Sequence, residues 1–585
     1  MTHQVDRHTV ESDYDAVVRA DIEAFRAASQ QYTRGELTDD QFRPHRLRRG
    51  IYTQRQAGVH MIRTKIPGGI ATARQFRIMA ELADRFAGSK GHLTTRQNMQ
   101  FHFVPLKDVP DALHLLADTR LTTREACYNT IRNITACPYT GLVNGEPFDV
   151  NPYAQRAAFA FLHQPIADNL PRKFKIGFAG TDADSIATSI NDLGFRAVIR
   201  DGKRGFRVTV GGGLGPLPNE AKLLDEFLPD DRVVNRIESV VRVFGKYGNR
   251  GNKNKARLKF VLRERGFEWL RDAIDLEYQD ILKNGGVASP EIVPEGFGGF
   301  ESNRQIPVSL PPVIDHRVAE PGFDEWFETE VEEQKQLGYA IATVRVDQGN
   351  LTSTQMRGVA DAAEEFGDGA LRVTMTQNLL IAYVPLANLK RLHAKLKAIG
   401  LAGVRAHQID DVMTCPGAYS CNLALTKSMN LGEALSEALV KETDPEVRKL
   451  AVHVSGCPNS CGQHWTGDFG FYGNARKIDG REVPYYLMLL GGGMDDTGIM
   501  RFGLQIQSLP ARLVPVAVDR VIRHFQANHS DGETFREYVL RHKVETFRKL
   551  TADLAKPAEL FPEIYQDWGD EQQYSLQLGR GECAA

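Results

Sequence analysis

The chain repeats itself at an offset of 280 residues, and any fold must first accommodate that duplication. Thr72-Ala73-Arg74-Gln75-Phe76-Arg77 matches Thr352-Ser353-Thr354-Gln355-Met356-Arg357, and Leu93-Thr94-Thr95-Arg96-Gln97-Asn98 matches Val373-Thr374-Met375-Thr376-Gln377-Asn378. Val104-Pro105-Leu106 falls on Val384-Pro385-Leu386, and Gly211-Gly212-Gly213 on Gly491-Gly492-Gly493. With small shifts, Ala136-Cys137-Pro138 echoes Thr414-Cys415-Pro416, and Gly177-Phe178-Ala179-Gly180 echoes Gly470-Phe471-Tyr472-Gly473. Matches in one order at nearly one offset describe a duplicated two-part module.

Each copy opens on a strand pattern (residues 59–66 and 340–346), followed by a helical one (73–87 and 353–366). A second strand ends at Val-Pro-Leu and another helix begins just after it. Two strands with crossing helices form a ferredoxin-like half-domain, and two halves close into one pseudo-symmetric unit. The expected class is α+β: a pseudo-two-fold duplicated module of two ferredoxin-like half-domains plus two mixed α/β lobes. The boundaries read as an N-terminal wrapping arm over 1–50, half-domain 1 over 51–115, and lobe 1 with a connector over 116–320. Half-domain 2 follows over 325–405, and lobe 2 with a C-terminal strap over 406–585. The connector is the Gly- and Pro-rich stretch 285–312.

The copies differ in content. The second holds Cys415 and Cys421, with five residues between them, then Cys457 and Cys461 with three. Four thiolates on one site favour a soft metal or an iron–sulfur cluster. Structural zinc is the competing reading, although its ligand pairs commonly enclose two to four residues. Seven cysteines in 585 residues, and no apolar leader at the N-terminus, argue against a disulfide framework. Cys137 reads as a vestige of the cluster half or a buried thiol, and Cys583 as an exposed free cysteine.

The first copy holds the cations. Arg63, Lys65 and Arg96 face Thr343, Arg345 and Thr376, and Lys173 and Lys175 face Thr466 and Asp468. In strands, Arg63 and Lys65 project to one face, as do Lys173 and Lys175. With the segment from Asn249 to Arg257 they suit a polyanionic ligand, since the net charge of the whole chain is only −2. That balance gives no sign of nucleic acid, and no window approaches a membrane span. The chain reads as cytoplasmic and multidomain. No Gly-x-Gly-x-x-Gly leads from a strand into a helix, so electrons for any redox chemistry would come from a partner.

Together these motifs resemble the sirohaem-containing sulfite and nitrite reductase family, most closely its ferredoxin-type sulfite reductases. The resemblance rests on the two cysteine pairs, Arg63 before Pro67-Gly68-Gly69, Thr94-Thr95-Arg96-Gln97, Asn129-Thr130-Ile131-Arg132-Asn133, Leu170 to Lys175, and Gly248-Asn249-Arg250. It covers nearly the whole chain. It implies sirohaem and a [4Fe–4S] cluster held by Cys415, Cys421, Cys457 and Cys461, with Cys461 shared between cluster and haem iron. It assigns Arg63, Arg132, Lys173 and Lys175 to the oxyanion. Arg96, Gln100, Asn249, Arg250, Lys253, Lys255 and Arg257 go to the macrocycle, whose eight carboxylates need cations; Gln97, Asn98, Gln100 and His102 are also open to plain packing, which His102 favours.

The implied reaction is six-electron reduction of sulfite to sulfide, with nitrite to ammonia as the alternative on the same scaffold. The donor would be a ferredoxin or a separate flavoprotein. Tyr52 and Cys127 match positions covalently joined in some sulfite-reducing members. A thioether and a simple packed pair both fit, and the pairing tilts the reading towards sulfite. A zinc-stabilised binding protein without redox chemistry is the alternative from another class.

Overall fold

A computed structural model describes residues 13–287, 289–290, 293–294, 296–297, 306–313, 320–495, 498–557, 560–577 and 579. Cys583 and much of the 285–312 connector lie outside the described residues.

Both helices of the repeat begin with the same device. Thr72 and Gln75 form a capping box at helix Ala73–Phe86, and Thr352 and Gln355 form its counterpart at Ser353–Phe366. The two helices pack together across the pseudo-two-fold. Arg77 donates to Asp361 at 2.7 Å, and its mate Arg357 pairs with Asp84 at 2.6 Å.

The sheet of half-domain 1 runs in the order 51–53, 59–63, 99–105, 90–93 and then 350–352. That last strand comes from the other half: Leu351 lies opposite Gly91. The sheet of half-domain 2 runs 331–333, 339–344, 379–385, 370–373 and closes on 70–72, with Leu371 opposite Ala71. Each half-domain therefore completes its sheet with a strand of its partner, and neither is a closed unit alone.

The lobes repeat one topology. In lobe 1, strands 135–136, 176–179 and 193–200 are parallel, and 203–210 and 222–229 continue antiparallel. In lobe 2 the same places are taken by 413–414, 452–455, 469–478, 481–490 and 504–510. This corrects one alignment: strand 176–179 matches 452–455, not the Gly470 segment. The backbone bonds agree, because Asp192 accepts from Lys175 N as Asp468 accepts from Ala451 N, both at 2.9 Å. Lys175 thus stands opposite Ala451, and Asp468 opposite Asp192.

One apolar core joins the arm, the half-domains and lobe 1, and a second fills lobe 2. A smaller seam of Ile190 and Leu214 against Trp465 and Leu489 joins the lobes, with Trp465 Nε1 donating to Gly215 O at 2.9 Å. The arm consists of helices Tyr14–Thr33 and Asp39–Arg48. Its Asp21 meets Arg49 at 2.7 Å and Arg124 at 3.1 Å, which ties it to lobe 1.

Candidate active site

The cysteine pairs sit just beyond the carboxyl ends of parallel strands 413–414 and 452–455, a common place for ligands in such sheets. Cys415 leads into a short 3₁₀ turn over Gly417–Tyr419, and Cys421 N closes it on Gly417 O at 3.0 Å. Gly456 N donates to Cys415 Sγ at 3.3 Å, as N–H groups do around bound thiolates, while the Ser428 hydroxyl, 3.3 Å from the same sulfur, donates to Cys415 O at 2.7 Å. Gly456 has no room for a side chain: a Cβ there would stand 2.7 Å from Thr426 O and 2.9 Å from Gly417 Cα.

Half-domain 1 clasps this loop. Arg55 N donates to Ser420 O at 3.0 Å, Arg55 Nη2 to Ala424 O at 2.6 Å, and Gln56 Nε2 to Tyr419 O at 2.9 Å. On the other side, Thr95 Oγ1 donates to Cys461 O at 2.9 Å. Two glutamines in the left-handed region stitch the halves together. Gln97 accepts from Ala136 N and donates to Val373 O, while Gln377 accepts from Thr414 N and donates to Leu93 O.

The result is one cavity with about 1290 Å³ of empty space, its open mouth included. Cys415, Cys421, Cys457 and Cys461 line one side; Arg63, Arg96, Gln100, Arg132, Lys173, Lys175 and Tyr52 line the other. Cys461 is the exposed member of the quartet, facing the void, while Cys415 and Cys457 are buried. Burial, and then the neighbouring thiols, push Cys457 well above its usual value; Cys415 is raised for the same reasons. Thiolates in this place therefore call for compensating metal charge. Among the described residues no group of three or more His, Cys, Asp or Glu is placed to hold a metal ion.

The cations are crowded. Burial, followed by Arg96, Arg257 and Lys173, lowers Lys175 well below the ordinary lysine range. Burial also pulls Arg96 down to about 9, with Arg132, Arg257 and Arg63 adding to it and Asp192 opposing. Arg96 donates to Asn191 at 2.8 Å and Asn133 O at 2.6 Å, and its buried Nε has no partner. Arg132 is held by three oxygens: Tyr128 O and Ala126 O at 3.1 Å each, and the Tyr52 hydroxyl at 3.2 Å. With its amide turned to satisfy both ends, Gln100 accepts from Arg63 Nε at 2.8 Å and donates to His102 Nε2 at 3.3 Å. The Arg63 guanidinium also lies over the Tyr52 ring, 5.7 Å from its centroid.

The structure draws some expected residues elsewhere. The strand stops at Arg63, and the Lys65 ammonium turns inward to Glu125 at 2.8 Å, so it leaves the Arg63 face. Asn249, Arg250, Lys253, Lys255 and Arg257 do not line the cavity. Asn249 caps the Gly251 and Asn252 amides, Arg250 donates to Asn169 O at 2.9 Å, and Lys253–Lys255 is an exposed 3₁₀ turn. Arg257 grips Asp192 at 2.7 Å, directly behind Lys175. Cys127 is not in the wall, but it shares a small apolar cluster with Tyr52, Leu47 and Met61. Cys137 is buried and takes a hydrogen bond from Ser185 at 3.2 Å.

His102, expected to pack, lines the cavity beside His92; burial lowers them to about 3 and about 4, so both are neutral. Met61, Gln377 and Asn422 line it too and were missed; Asn133, of the 129–133 motif, lines it as well. Gln377 alone had a signal, its place opposite Gln97 in the repeat.

Comparison with known proteins follows this geometry. The model of the nitrite and sulphite reductase 4Fe-4S domain matches residues 127–282 and 406–558. That of the nitrite/sulfite reductase ferredoxin-like half domain matches 52–119 and 332–399. The chain belongs to the nitrite and sulfite reductase family. It is 30% identical over 548 residues to an assimilatory ferredoxin-dependent nitrite reductase of Haloferax mediterranei, covering 90% of this chain and 89% of that protein. It is 28% identical over 525 residues to a sulfite reductase [ferredoxin] of Mycobacterium tuberculosis, covering 85% and 88%. The solved structure of the Mycobacterium tuberculosis NirA protein aligns with a TM-score of 0.74 at 26% identity, over 88% of this chain and 92% of that one.

The family's cofactors are sirohaem and a [4Fe–4S] cluster, and the residues present fit both. Four thiols face one void, and opposite them lie crowded cations whose depressed affinities a polycarboxylate would restore. Among the described residues no helix is long and apolar enough to cross a membrane.

Proposed function

We propose that this chain reduces sulfite to sulfide with six electrons drawn one at a time from a ferredoxin. One observation carries the reading: a single cavity sets second-half thiols against first-half cations, with Tyr52 bonded to Arg132 and packed beside Cys127. Cys415, Cys421, Cys457 and Cys461 would hold the cluster, and Cys461, the most exposed of them, would stand on the side of the cavity that sirohaem fills. When bound, the two groups supply a coordinating iron and the route for electrons.

The protein's own side chains do the rest. Arg63, Arg132, Lys173 and Lys175 bind and orient the oxyanion, and their charge stabilises what builds up on its oxygens. Arg132 comes to this task pre-aimed by three fixed contacts, so little freedom is lost on binding. Each S–O cleavage needs protons. Arginine does not release its own, whereas the Lys175 ammonium, which lines the cavity, carries a proton it can pass on. Arg96 and Gln100, which line the cavity, would hold the macrocycle, and Arg257 acts from behind by neutralising Asp192.

Ferredoxin is favoured over a flavoprotein because the relatives from Haloferax mediterranei and Mycobacterium tuberculosis are both named for it. Four reduced thiolates suit a reducing compartment, which supports a cytoplasmic site and assimilatory use. Nitrite is the second reading, favoured by the Haloferax relative's 30% identity. Turnover of both anions with one reduced ferredoxin, and again with a flavoprotein donor, separates these readings. A higher kcat/KM for sulfite supports the proposal, and a preference for nitrite refutes it. Peptide mapping decides whether Tyr52 and Cys127 are joined.

A further inference from the structure

We propose that the buried Lys65–Glu125 ion pair positions the catalytic arginine Arg132. The inference rests on the reading above, in which Arg132 grips the oxyanion. Neither Lys65 nor Glu125 lines the cavity, so neither touches substrate.

The pair needs a reason to exist. Its side chains are 1% and 0% exposed, and an apolar pair of similar volume commonly serves stability as well or better. What the pair holds supplies the reason. Lys65 stands two residues beyond Arg63, its backbone anchored by a 2.7 Å bond to Thr122 O. The Glu125 carboxylate takes Lys65 Nζ at 2.8 Å on one oxygen and His163 N at 2.8 Å on the other. Glu125 opens a tight turn in which it and Tyr128 adopt φ of 63° and 70°, a region that side chains disfavour. Thr130 Oγ1 braces the turn from within, lying 2.9 Å from Glu125 O and 2.7 Å from Cys127 O.

That turn presents the two carbonyls, Ala126 O and Tyr128 O, that aim the Arg132 guanidinium, and it sets Cys127 against Tyr52. Ion pair, strained turn and arginine form one mechanical chain. The second half shows the alternative. There Arg345, opposite Lys65, reaches straight to Asp410 at 2.6 Å, and Asp410 occupies the place of Arg132. In the first half Glu125 withdraws the cation at position 65 from the cavity, leaving the place opposite Asp410 to an arginine.

The test uses cofactor-loaded enzyme, with every value normalised to sirohaem. Glu125→Gln and Lys65→Met should raise the sulfite KM by about tenfold with kcat changed much less, and Lys65→Arg should rescue it. Sulfite binding to the oxidised protein, followed by its visible spectrum, should weaken by the same factor. Thr130→Val, a milder loosening of the turn, should raise KM about threefold, and it serves if the charge variants fail to fold. A merely structural pair would lower loading and thermal stability but leave KM and binding per loaded site unchanged. Unchanged values in any loaded variant, or no rescue by Lys65→Arg, overturn the inference. A parent enzyme that reduces neither anion would instead overturn the functional reading.

Discussion

Around half-domain 1, Gln56 donates to Tyr419 O and Arg55 N to Ser420 O; around half-domain 2, Gln336 donates to Gly141 O and Lys335 N to Leu142 O. Gln54 accepts from Phe103 N as Gln334 accepts from Tyr383 N. The backbone frame is one pattern used twice. What it encloses differs. On the first side Met61, Gln100, His102 and Ser420 line the cavity. On the second their counterparts Ile341, Leu380 and Ala382 close around Leu142, which is fully buried in Ser420's place. Polar-to-apolar exchange at three of these four wall positions turns a binding cavity into core, while the hydrogen bonds that shape the frame stay the same. Function here depends on which side chains face inward, not on the fold alone.

The contrast is sharpest at the cysteines. Cys461→Ala should abolish the visible bands and turnover together. Cys137→Ala, at the vestigial counterpart of Cys415, should leave both within about twofold. Equal loss in the two variants, read from spectra and iron content, would break the asymmetry.

Next come the cations. Arg132→Ala or Lys175→Ala, with sirohaem retained, should lower sulfite kcat/KM by about 10²–10³-fold, the effect of removing one positioned donor. Thr343→Ala, opposite Arg63, should leave it unchanged. Steady-state rates per sirohaem decide this.

The plug should matter only for stability. Leu142→Ala should cost about 2–5 kcal/mol, as truncation of a buried leucine does, and leave activity per cofactor intact. Denaturant unfolding and a rate assay read the two effects separately.

The smallest effect concerns the paired aspartates. Arg257 neutralises Asp192, but no cation pairs with Asp468 among the described residues, and burial raises it to about 7. A carboxyl raised in the folded state binds its proton more tightly there than in the unfolded chain. Its contribution to stability is therefore full below about 4 and is lost as pH rises to about 7. Asp468→Asn should raise Tm by a degree or so at pH 8 and do nothing at pH 4. Asp192→Asn should lower Tm at pH 8, because it strands the Arg257 charge.

Much of this was legible in the sequence. The helical patterns over 73–87 and 353–366 announced both helices, because periodicity is local, and the cysteine pairs announced the site, because ligand spacing is local too. The exchanged strands 70–72 and 350–352 were not legible: three residues carry no periodicity, and their partners lie in the other half. Lys65 misled because alternation was extended past the true end of the strand at Arg63, where Glu125 takes over. The match of Gly177 to Gly470 failed because glycines recur at close packing everywhere in both lobes, and only strand order tells them apart. His102 was read as packing because nothing in the sequence shows that its strand borders a void.

The most direct test of the whole account is the kcat/KM for sulfite against that for nitrite, measured with one reduced ferredoxin and normalised to sirohaem. Sulfite should be the better substrate, with sulfide recovered in a ratio of one per six electrons consumed. Preference for nitrite, or sulfite consumption without sulfide, would contradict it.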